Sequence, residues 1–172
     1  MTTESEANLE AKLKSISYAV LTDPGRRREE NQDSYGVIEG HSLKLFMVAD
    51  GMGGARGGAV ASTLAIDLIK SALRGQADLS TADIIATVQQ ANKAIGEKGS
   101  LETALSGMGT TLVGIAFCAS KTLIFNIGDS RLYRLSKNRL AACTEDHTLV
   151  QELLKSGAIG PEQARNHPVS HM

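Results

Sequence analysis

The clearest pattern along the chain lies in residues 43–73, where an apolar run is followed by glycines and then by a helical stripe. The apolar run Leu45–Val48 has the length of a buried strand. Beyond the glycines, apolar residues recur at the spacing of one helix face, namely Ala61, Leu64, Ala65, Leu68, Ile69 and Ala72. The pattern predicts a buried strand that ends at the carboxylate of Asp50 and a helix that begins near Ala55.

The position of Asp50 fits two interpretations. A carboxylate just before a helix is typical of an N-cap residue. The glycines after it would also let the backbone pass close to an ion or a phosphate, which is typical of a metal site. A dinucleotide-binding turn is excluded, because Arg56 stands where its third glycine belongs, and no P-loop sequence follows.

The sequence predicts further elements on both sides of this stretch. Residues 16–21 have strand composition and end in the turn sequence Asp23-Pro24-Gly25, and residues 34–38 form a second short strand. After Gly75 ends the first helix, Ser80–Asp83 resembles a capping signal for a second helix. The apolar stripe of that helix consists of Ile84, Val88, Ala91 and Ile95. Glycines at positions 96 and 99 predict a loop after it.

From residue 110 onward the pattern changes to that of β-strands. Residues 110–118 alternate between two faces, and Ser120–Lys121 makes a tight connection to a strand over residues 122–127, which predicts an antiparallel hairpin. The elements predicted after it are a strand over 131–135, a turn at 136–138, a short strand through 142, a helix over 146–156 ended by Gly157, and a helical turn from Pro161. This order predicts an α/β (α+β) layered domain with antiparallel sheets rather than a regular βαβ repeat.

Length and charge narrow the class of protein. A chain of 172 residues can form one domain with a sizeable core, and we assign residues 1–14 to a polar lead-in and residues 15–172 to the domain. A net charge of −1 argues against nucleic acid as the main partner. No apolar run has the length of a membrane span, the first residues are unlike a signal peptide, and Cys118 and Cys143 lack metal-ligand spacing. We therefore expect a soluble protein in a reducing, cytoplasmic compartment, without membrane or nucleic-acid partners.

Three carboxylates stand at the edges of predicted strands in different parts of the chain: Asp33, Asp50 and Asp129. Strands of one sheet can bring such side chains together, and oxygen ligands are the ones that Mg²⁺ and Mn²⁺ prefer. Arg28, near Asp33, has a guanidinium that could bind two oxygens of a phosphate. Each aspartate alone is more often a turn or cap residue, but together they indicate a metal and phosphate site.

Four motifs occur in order along the chain: Arg28-x-x-Asn31-Gln32-Asp33-Ser34, Val48-Ala49-Asp50-Gly51-Met52-Gly53-Gly54, Gly107-Met108-Gly109-Thr110-Thr111 and Asn126-Ile127-Gly128-Asp129-Ser130-Arg131. With them the chain resembles the bacterial branch of the metal-dependent serine/threonine protein phosphatases (PPM, type 2C) over roughly residues 16–165. The resemblance implies the N-terminal portion of a PPM-type domain, with two mainly antiparallel β-sheets sandwiched between helices and a two-metal site at one edge.

The resemblance also implies a role for each matching residue. Asp50 would bridge two Mn²⁺ or Mg²⁺ ions, and the Gly51 carbonyl would bind one of them. Asp33 would bind metal-bound water, Asp129 would help to hold an additional ion, and Arg28 would hold the substrate phosphate. The ions would lower the pKa of a bridging water, and the resulting hydroxide would attack phosphoserine or phosphothreonine in proteins that a cognate kinase has phosphorylated.

The sequence departs from the family pattern at three places. Gln32 occupies a position that is often glutamate, and Met52 stands where many eukaryotic relatives carry a proton-donating histidine. The family draws further metal-binding aspartates from its C-terminal part, whereas no aspartate follows Asp146, and we expect complete relatives to be longer by about half of this chain's length. Two functions therefore stay open: a protein phosphatase, or a truncated, catalytically silent relative that acts as a binding or regulatory module.

Overall fold

The structure is a computed structural model that describes residues 11, 13–26, 29–118 and 120–165. Within them the elements follow the predicted order of strands, helices and strands again. They are β1 (Asp33–Glu39), β2 (Lys44–Met52), α1 (Gly54–Leu73), α2 (Thr81–Leu101), a 3₁₀ turn (Thr103–Leu105), β3 (Gly109–Thr110), β4 (Leu112–Phe117), β5 (Thr122–Ile127), β6 (Tyr133–Ser136), β7 (Arg139–Ala142), α3 (Leu149–Lys155) and α4 (Pro161–Arg165). Most of the predicted lead-in, residues 1–14, lies outside the described residues.

The strands form two antiparallel sheets, which confirms the predicted fold class. The larger sheet has the strand order β1-β2-β4-β5, and the short strand β3 pairs with β2 beyond the end of β4. The predicted hairpin of β4 and β5 is present, and the Cys118 amide donates to the Lys121 carbonyl at 2.9 Å in its turn. The smaller sheet is the hairpin of β6 and β7. Its turn residues Lys137 and Asn138 both have positive φ, at 48° and 59°, as a two-residue type I′ turn requires.

Among the residues that the structure describes, helices cover one face of the larger sheet and leave the other uncovered. Because side chains alternate along a strand, β2 presents Leu45, Met47 and Ala49 to α1, and all three are buried. We call this side the helix-covered face; it also includes Ser34, Gly36, Ile38, Leu112, Gly114 and Ala116. The other side is called the open face; it includes Asp33, Tyr35, Phe46, Val48, Asp50, Val113 and Ile115.

Helix α2 begins as the sequence predicts but ends later. The Ser80 side chain accepts from the Asp83 amide and the Asp83 carboxylate accepts from the Ser80 amide, so the predicted capping box is present. The loop predicted from the glycines at positions 96 and 99 is wrong, because α2 continues to Leu101. A side chain at Gly99 would begin 3.2 Å from the Leu105 carbonyl oxygen. This glycine therefore permits close packing of the helix on the 3₁₀ turn and does not break it.

The predicted strand over residues 16–21 is also wrong. The segment has no regular secondary structure, because no strand pairs with its backbone among the described residues. It lies over the open face instead: the Tyr18 ring packs on Phe46 at a centroid distance of 4.9 Å, and Lys44 Nζ donates to the Ile16 carbonyl at 3.4 Å. Strand composition at this position therefore reflects contact with the sheet rather than membership of it.

The C-terminal helices match their predicted signals. Helix α3 is shorter than the predicted range 146–156, because the Thr148 side chain accepts from the Gln151 amide and makes Thr148 the N-cap. Gly157 follows with φ of 72°, and α4 begins at Pro161 as predicted. The described residues contain no helix that is both long and apolar enough to span a membrane.

Candidate metal and phosphate site

Asp33 and Asp50 lie directly opposite each other on β1 and β2. Both side chains belong to the open face, since the neighbouring Ser34 hydroxyl points the other way and lies 3.0 Å from the Ser62 hydroxyl of α1. The β-carbons of directly paired residues lie about 5 Å apart, and like charges in this relation repel. A divalent cation would offset that repulsion, so the arrangement suits a shared metal ion. The N-cap interpretation of Asp50 is wrong, because Asp50 lies within β2 and Gly53 is the N-cap of α1.

Asp129 follows β5 at the same edge of the sheet. Its neighbour Ser130 is hydrogen-bonded to Thr111, with 2.6 Å between the hydroxyl oxygens, and the Thr111 hydroxyl accepts from the Asp50 amide at 3.0 Å. Gly128 packs against the same threonine. The structure therefore brings the loop of the third predicted carboxylate close to the backbone of the second.

Gly51 lies where strand β2 meets the first turn of α1. A β-carbon at Gly51 would stand 2.0 Å from the Gly58 carbonyl oxygen and 2.7 Å from the Gln32 carbonyl oxygen. The Gly53 φ of 122° is likewise accessible to glycine, and a β-carbon there would stand 2.5 Å from the Met108 α-carbon. The glycines of this motif therefore allow the backbones of β2, α1 and the residues before β3 to pack directly against one another. Metal binding by the Gly51 carbonyl stays a prediction.

Gln32 contacts the beginning of α1. Its side-chain amide donates to the Gly54 carbonyl at 2.8 Å, and its own carbonyl accepts from the Gly51 amide at 3.1 Å and the Ser62 hydroxyl at 2.7 Å. The N-cap Gly53 offers no side-chain hydrogen bond to the helix. The Gln32 side chain thus joins the residue before β1 to the first residue of α1, a contact that the comparison with glutamate at this position did not suggest.

Hydrogen bonds also join the third motif to Asp50. The Thr110 hydroxyl and the Thr111 amide both donate to the Asp50 carbonyl, at 3.0 and 2.9 Å. With the contacts of Gln32 and Ser130, residues of all four motifs are linked through the backbone around Asp50. Sequence reasoning gave no role to Thr111 or Ser130, although each stands beside a predicted ligand or within a quoted motif.

Two clefts open beside the carboxylate pair. The larger has a volume of about 830 Å³ and the smaller about 370 Å³, and Glu30 and Gln32 line both. Asp33 lines the smaller cleft. Among the described residues, Arg56 lines the larger cleft and Arg26 lines the smaller one. Arg28, the predicted phosphate ligand, lies outside the described residues, so its role stays a prediction.

Asp146, the last aspartate of the chain, is engaged by an arginine of the fourth motif. Two guanidinium nitrogens of Arg131, Nε and Nη2, donate to the Asp146 carboxylate, and the hydrogen bond from Nε is 2.8 Å long. These hydrogen bonds hold the pKa of Asp146 below its usual range and raise that of Arg131. The His147 amide donates to the Gly128 carbonyl at 2.9 Å, so the segment around Asp146 packs on the loop that carries Asp129.

The donor set fits a hard divalent cation in part. Among the residues that the structure describes, no group of three or more His, Cys, Asp or Glu side chains is placed to hold one ion. The Asp33–Asp50 pair nevertheless supplies carboxylate oxygens, which suit Mn²⁺ or Mg²⁺, and Mg²⁺ keeps several waters among its ligands. The pair is thus suited to be one part of a metal site.

Comparisons with known proteins identify the relatives of the chain. The family profile described as Protein phosphatase 2C matches residues 25–153. The serine/threonine phosphatase stp of Listeria welshimeri serovar 6b is 46% identical over an alignment of 153 residues that covers 86% of this chain and 61% of that protein.

The chain is also similar to solved structures of serine/threonine phosphatases. The crystal structure of the Mycobacterium tuberculosis serine/threonine phosphatase PstP/Ppp has a TM-score of 0.74 and 40% identity, with 88% of this chain and 63% of that chain covered. The catalytic domain of the serine threonine protein phosphatase PstP in complex with 2 manganese ions has a TM-score of 0.72 and 39% identity, with 86% and 63% covered. This chain spans less than two thirds of the length of each of these relatives.

Proposed function

The chain belongs to the protein phosphatase 2C family, and we propose that it acts in a metal-dependent protein serine/threonine phosphatase, where it carries the Asp33–Asp50 half of the metal site. The observation that carries the proposal is the direct pairing of these two carboxylates on the open face. The names of the relatives, all serine/threonine phosphatases, support the reaction class.

The residues that would hold the ions are Asp50, Asp33, the Gly51 carbonyl and Asp129. When bound, Mn²⁺ or Mg²⁺ ions supply an acidified water as nucleophile and neutralise charge on the phosphoryl oxygens. The manganese complex of PstP favours Mn²⁺ among the two. The hydrogen bonds that the Asp50 backbone makes with the Thr110 and Thr111 hydroxyls keep it in place.

The residue proposed to bind the substrate phosphate is Arg28. Arg28 would bind the phosphate through its planar guanidinium, which matches two phosphoryl oxygens at once. Met52 is exposed next to Gly51 and has no proton to give to the leaving alcohol. A metal-bound water would therefore have to protonate the alcohol. We propose phosphoserine and phosphothreonine proteins as substrates; a cognate kinase, a role in signal transduction and a cytoplasmic location stay predictions.

The proposal is tested with Mn²⁺ binding and phosphate release on the same samples. Mn²⁺ affinity is measured by electron paramagnetic resonance, and phosphate release from a phosphothreonine peptide is measured with and without Mn²⁺. We expect Asp50→Asn to weaken Mn²⁺ binding by at least about 100-fold, because loss of mere supporting groups around a metal already costs about 10–100-fold. Phosphate release should fall with it.

Asp67→Asn is the matched control, since Asp67 is an exposed carboxylate of α1 on the far side of the sheet. It should leave both measurements unchanged. Equal phosphate release by the native chain and Asp50→Asn would remove the enzyme proposal for this chain. Binding of the phosphopeptide without any Mn²⁺-dependent release would favour the alternative of a silent binding module.

A further inference from the structure

Thr111 lies between two of the predicted metal ligands without being one. It occupies the single residue that separates β3 from β4, and it is buried, with 8% of its surface exposed. Asp50 lies beside it on β2, and Asp129 lies beyond the end of β5. A buried hydroxyl at such a break in a strand must find its hydrogen-bond partners within the protein.

The hydroxyl of Thr111 uses its hydrogen-bonding capacity on both sides. It accepts from the Asp50 amide at 3.0 Å, and it shares a hydrogen bond of 2.6 Å with the Ser130 hydroxyl. A threonine hydroxyl has one proton and two lone pairs, so these contacts occupy most of what it offers. We call the chain of contacts from the Asp50 amide through the Thr111 hydroxyl to the Ser130 hydroxyl the Thr111 bridge.

The methyl group of Thr111 makes a separate contact. A β-carbon at Gly128 would begin 2.8 Å from this methyl, so the turn before Asp129 packs tightly on it. The two branches of the Thr111 side chain therefore have different roles. The hydroxyl joins two chain segments by hydrogen bonds, and the methyl packs against the turn at Gly128. Valine retains the methyl and serine retains the hydroxyl, which makes the two tasks separable by substitution.

We propose that Thr111 is a positioning residue, whose hydroxyl couples the loop of Asp129 to the backbone of Asp50 and thereby fixes the geometry in which these carboxylates bind a divalent cation. The inference rests on the proposed metal site. Thr111 itself contributes no ligand atom in this role. Its removal should change cation affinity through Asp50 and Asp129, although both carboxylates stay in the sequence.

The test compares Thr111→Val with Thr111→Ser in the full chain. Mn²⁺ affinity is measured by electron paramagnetic resonance, and exchange of the Asp50 amide hydrogen is measured in metal-free protein. We expect Thr111→Val to weaken Mn²⁺ binding by about 10–100-fold, as for other supporting groups around metals, and to speed exchange at Asp50 by about tenfold through local opening. Thr111→Ser should retain native Mn²⁺ affinity within about threefold, even though loss of the methyl lowers its melting temperature.

Two outcomes of this comparison would overturn the proposal. One is native Mn²⁺ affinity in Thr111→Val. The other is equal loss of affinity in Thr111→Ser and Thr111→Val, since the methyl packing and not the hydroxyl would then be responsible. Amides in the middle of β2, such as that of Met47, serve as the internal control, because they exchange through global unfolding and report any change in overall stability. Exchange at Asp50 that rises more than exchange at Met47 then reports local opening.

Ser130→Ala separates failure of this inference from failure of the proposed function. The substitution leaves Asp50 and Thr111 intact, so faster exchange at the Asp50 amide in this variant supports the Thr111 bridge in metal-free protein. Unchanged exchange at Asp50 would refute the coupling, whatever the metal does. If the native chain binds no Mn²⁺, the proposed metal site fails for this chain, and the coupling of the two loops is still decided by Ser130→Ala.

Discussion

The two faces of the larger sheet are built from the same strands and differ in almost every other respect. On the helix-covered face, Leu45, Met47 and Ala49 are buried under α1, and glycines permit backbone contact. On the open face, Val48 is 48% exposed and Asp33 pairs with Asp50. Alternation along one strand therefore lets packing and metal chemistry occupy adjacent residues without sharing space.

Sensitivity to substitution should therefore alternate along β2. A change on the helix-covered face meets a packed interior, where even one added carbon has no space. A change on the open face meets solvent or a neighbouring loop. We expect stability to depend on the first face and cation binding on the second.

The largest effect is expected for Gly51→Ala. The added methyl would overlap the Gly58 carbonyl oxygen, and backbone atoms cannot move aside as a side chain can. We expect a loss of more than about 3 kcal/mol in the free energy of unfolding, above the usual cost of overpacking because the clash is with backbone, measured by urea denaturation.

Gly96→Ala is the matched control for that substitution. Gly96 lies within α2, and no atom of the described part of the chain stands within 4 Å of the position of its added methyl. Alanine there should stabilise the protein by up to about 1 kcal/mol, because alanine has the higher helix propensity. Equal urea midpoints for the two variants would contradict the account of Gly51 as a packing residue.

The next effect compares the two faces directly, within four residues of β2. Leu45 is fully buried, so Leu45→Ala should cost about 3 kcal/mol through lost burial and the cavity that it leaves. Val48→Ala should cost less than about 1 kcal/mol, since the side chain is half exposed. Thermal and urea unfolding measure both variants, and similar losses would show that the open face is covered in solution.

The smallest effect concerns the ion pair beyond the open face. Arg131 holds the pKa of Asp146 below its unfolded value of about 3.9. A carboxylate with a depressed folded pKa stabilises the native state above the unfolded pKa, and this contribution is lost as pH falls through the folded pKa. Asp146→Asn should therefore cost about 1 kcal/mol at neutral pH, a modest value because Arg131 is half exposed.

On acidification below about pH 4, the stability difference between the native chain and Asp146→Asn should shrink towards zero. Urea midpoints at a series of pH values measure it. Asp67→Asn should show no comparable difference at neutral pH, because Asp67 makes no ion pair with any described residue. A difference for Asp146→Asn that stays constant with pH would contradict the assignment.

Local signals in the sequence were sufficient for most of the fold. The alternation in β2 and β4, the helical stripe of α1 and the capping box at Ser80 each depend on residues within a few positions of one another. The strand predicted over residues 16–21 failed because pairing requires a distant partner that composition does not reveal. The predicted end of α2 was wrong because a glycine can permit close packing as well as form a turn.

Of the candidate site, the pairing of two predicted residues was predictable in the same way, whereas their role as metal ligands stays a prediction. Asp33 and Asp50 could be placed together because β1 and β2 are consecutive strands that pair across a short turn. The contacts of Thr111 and of Gln32 could not be predicted, since they depend on the register between segments that are far apart in the chain. The contact of Gln32 with α1 was also hidden by the comparison of its charge with that of glutamate.

The insertion of α1 and α2 between neighbouring strands has a consequence for the kinetics of folding. Asp33 and Asp50 come together in a local hairpin, whereas Asp50 and Thr111 are 61 positions apart in the chain. Closing so long a loop is entropically costly and slow relative to hairpin formation. We therefore expect Asp33 and Asp50 to come together early, before β4 docks on β2 and before the Thr111 hydroxyl reaches the Asp50 backbone.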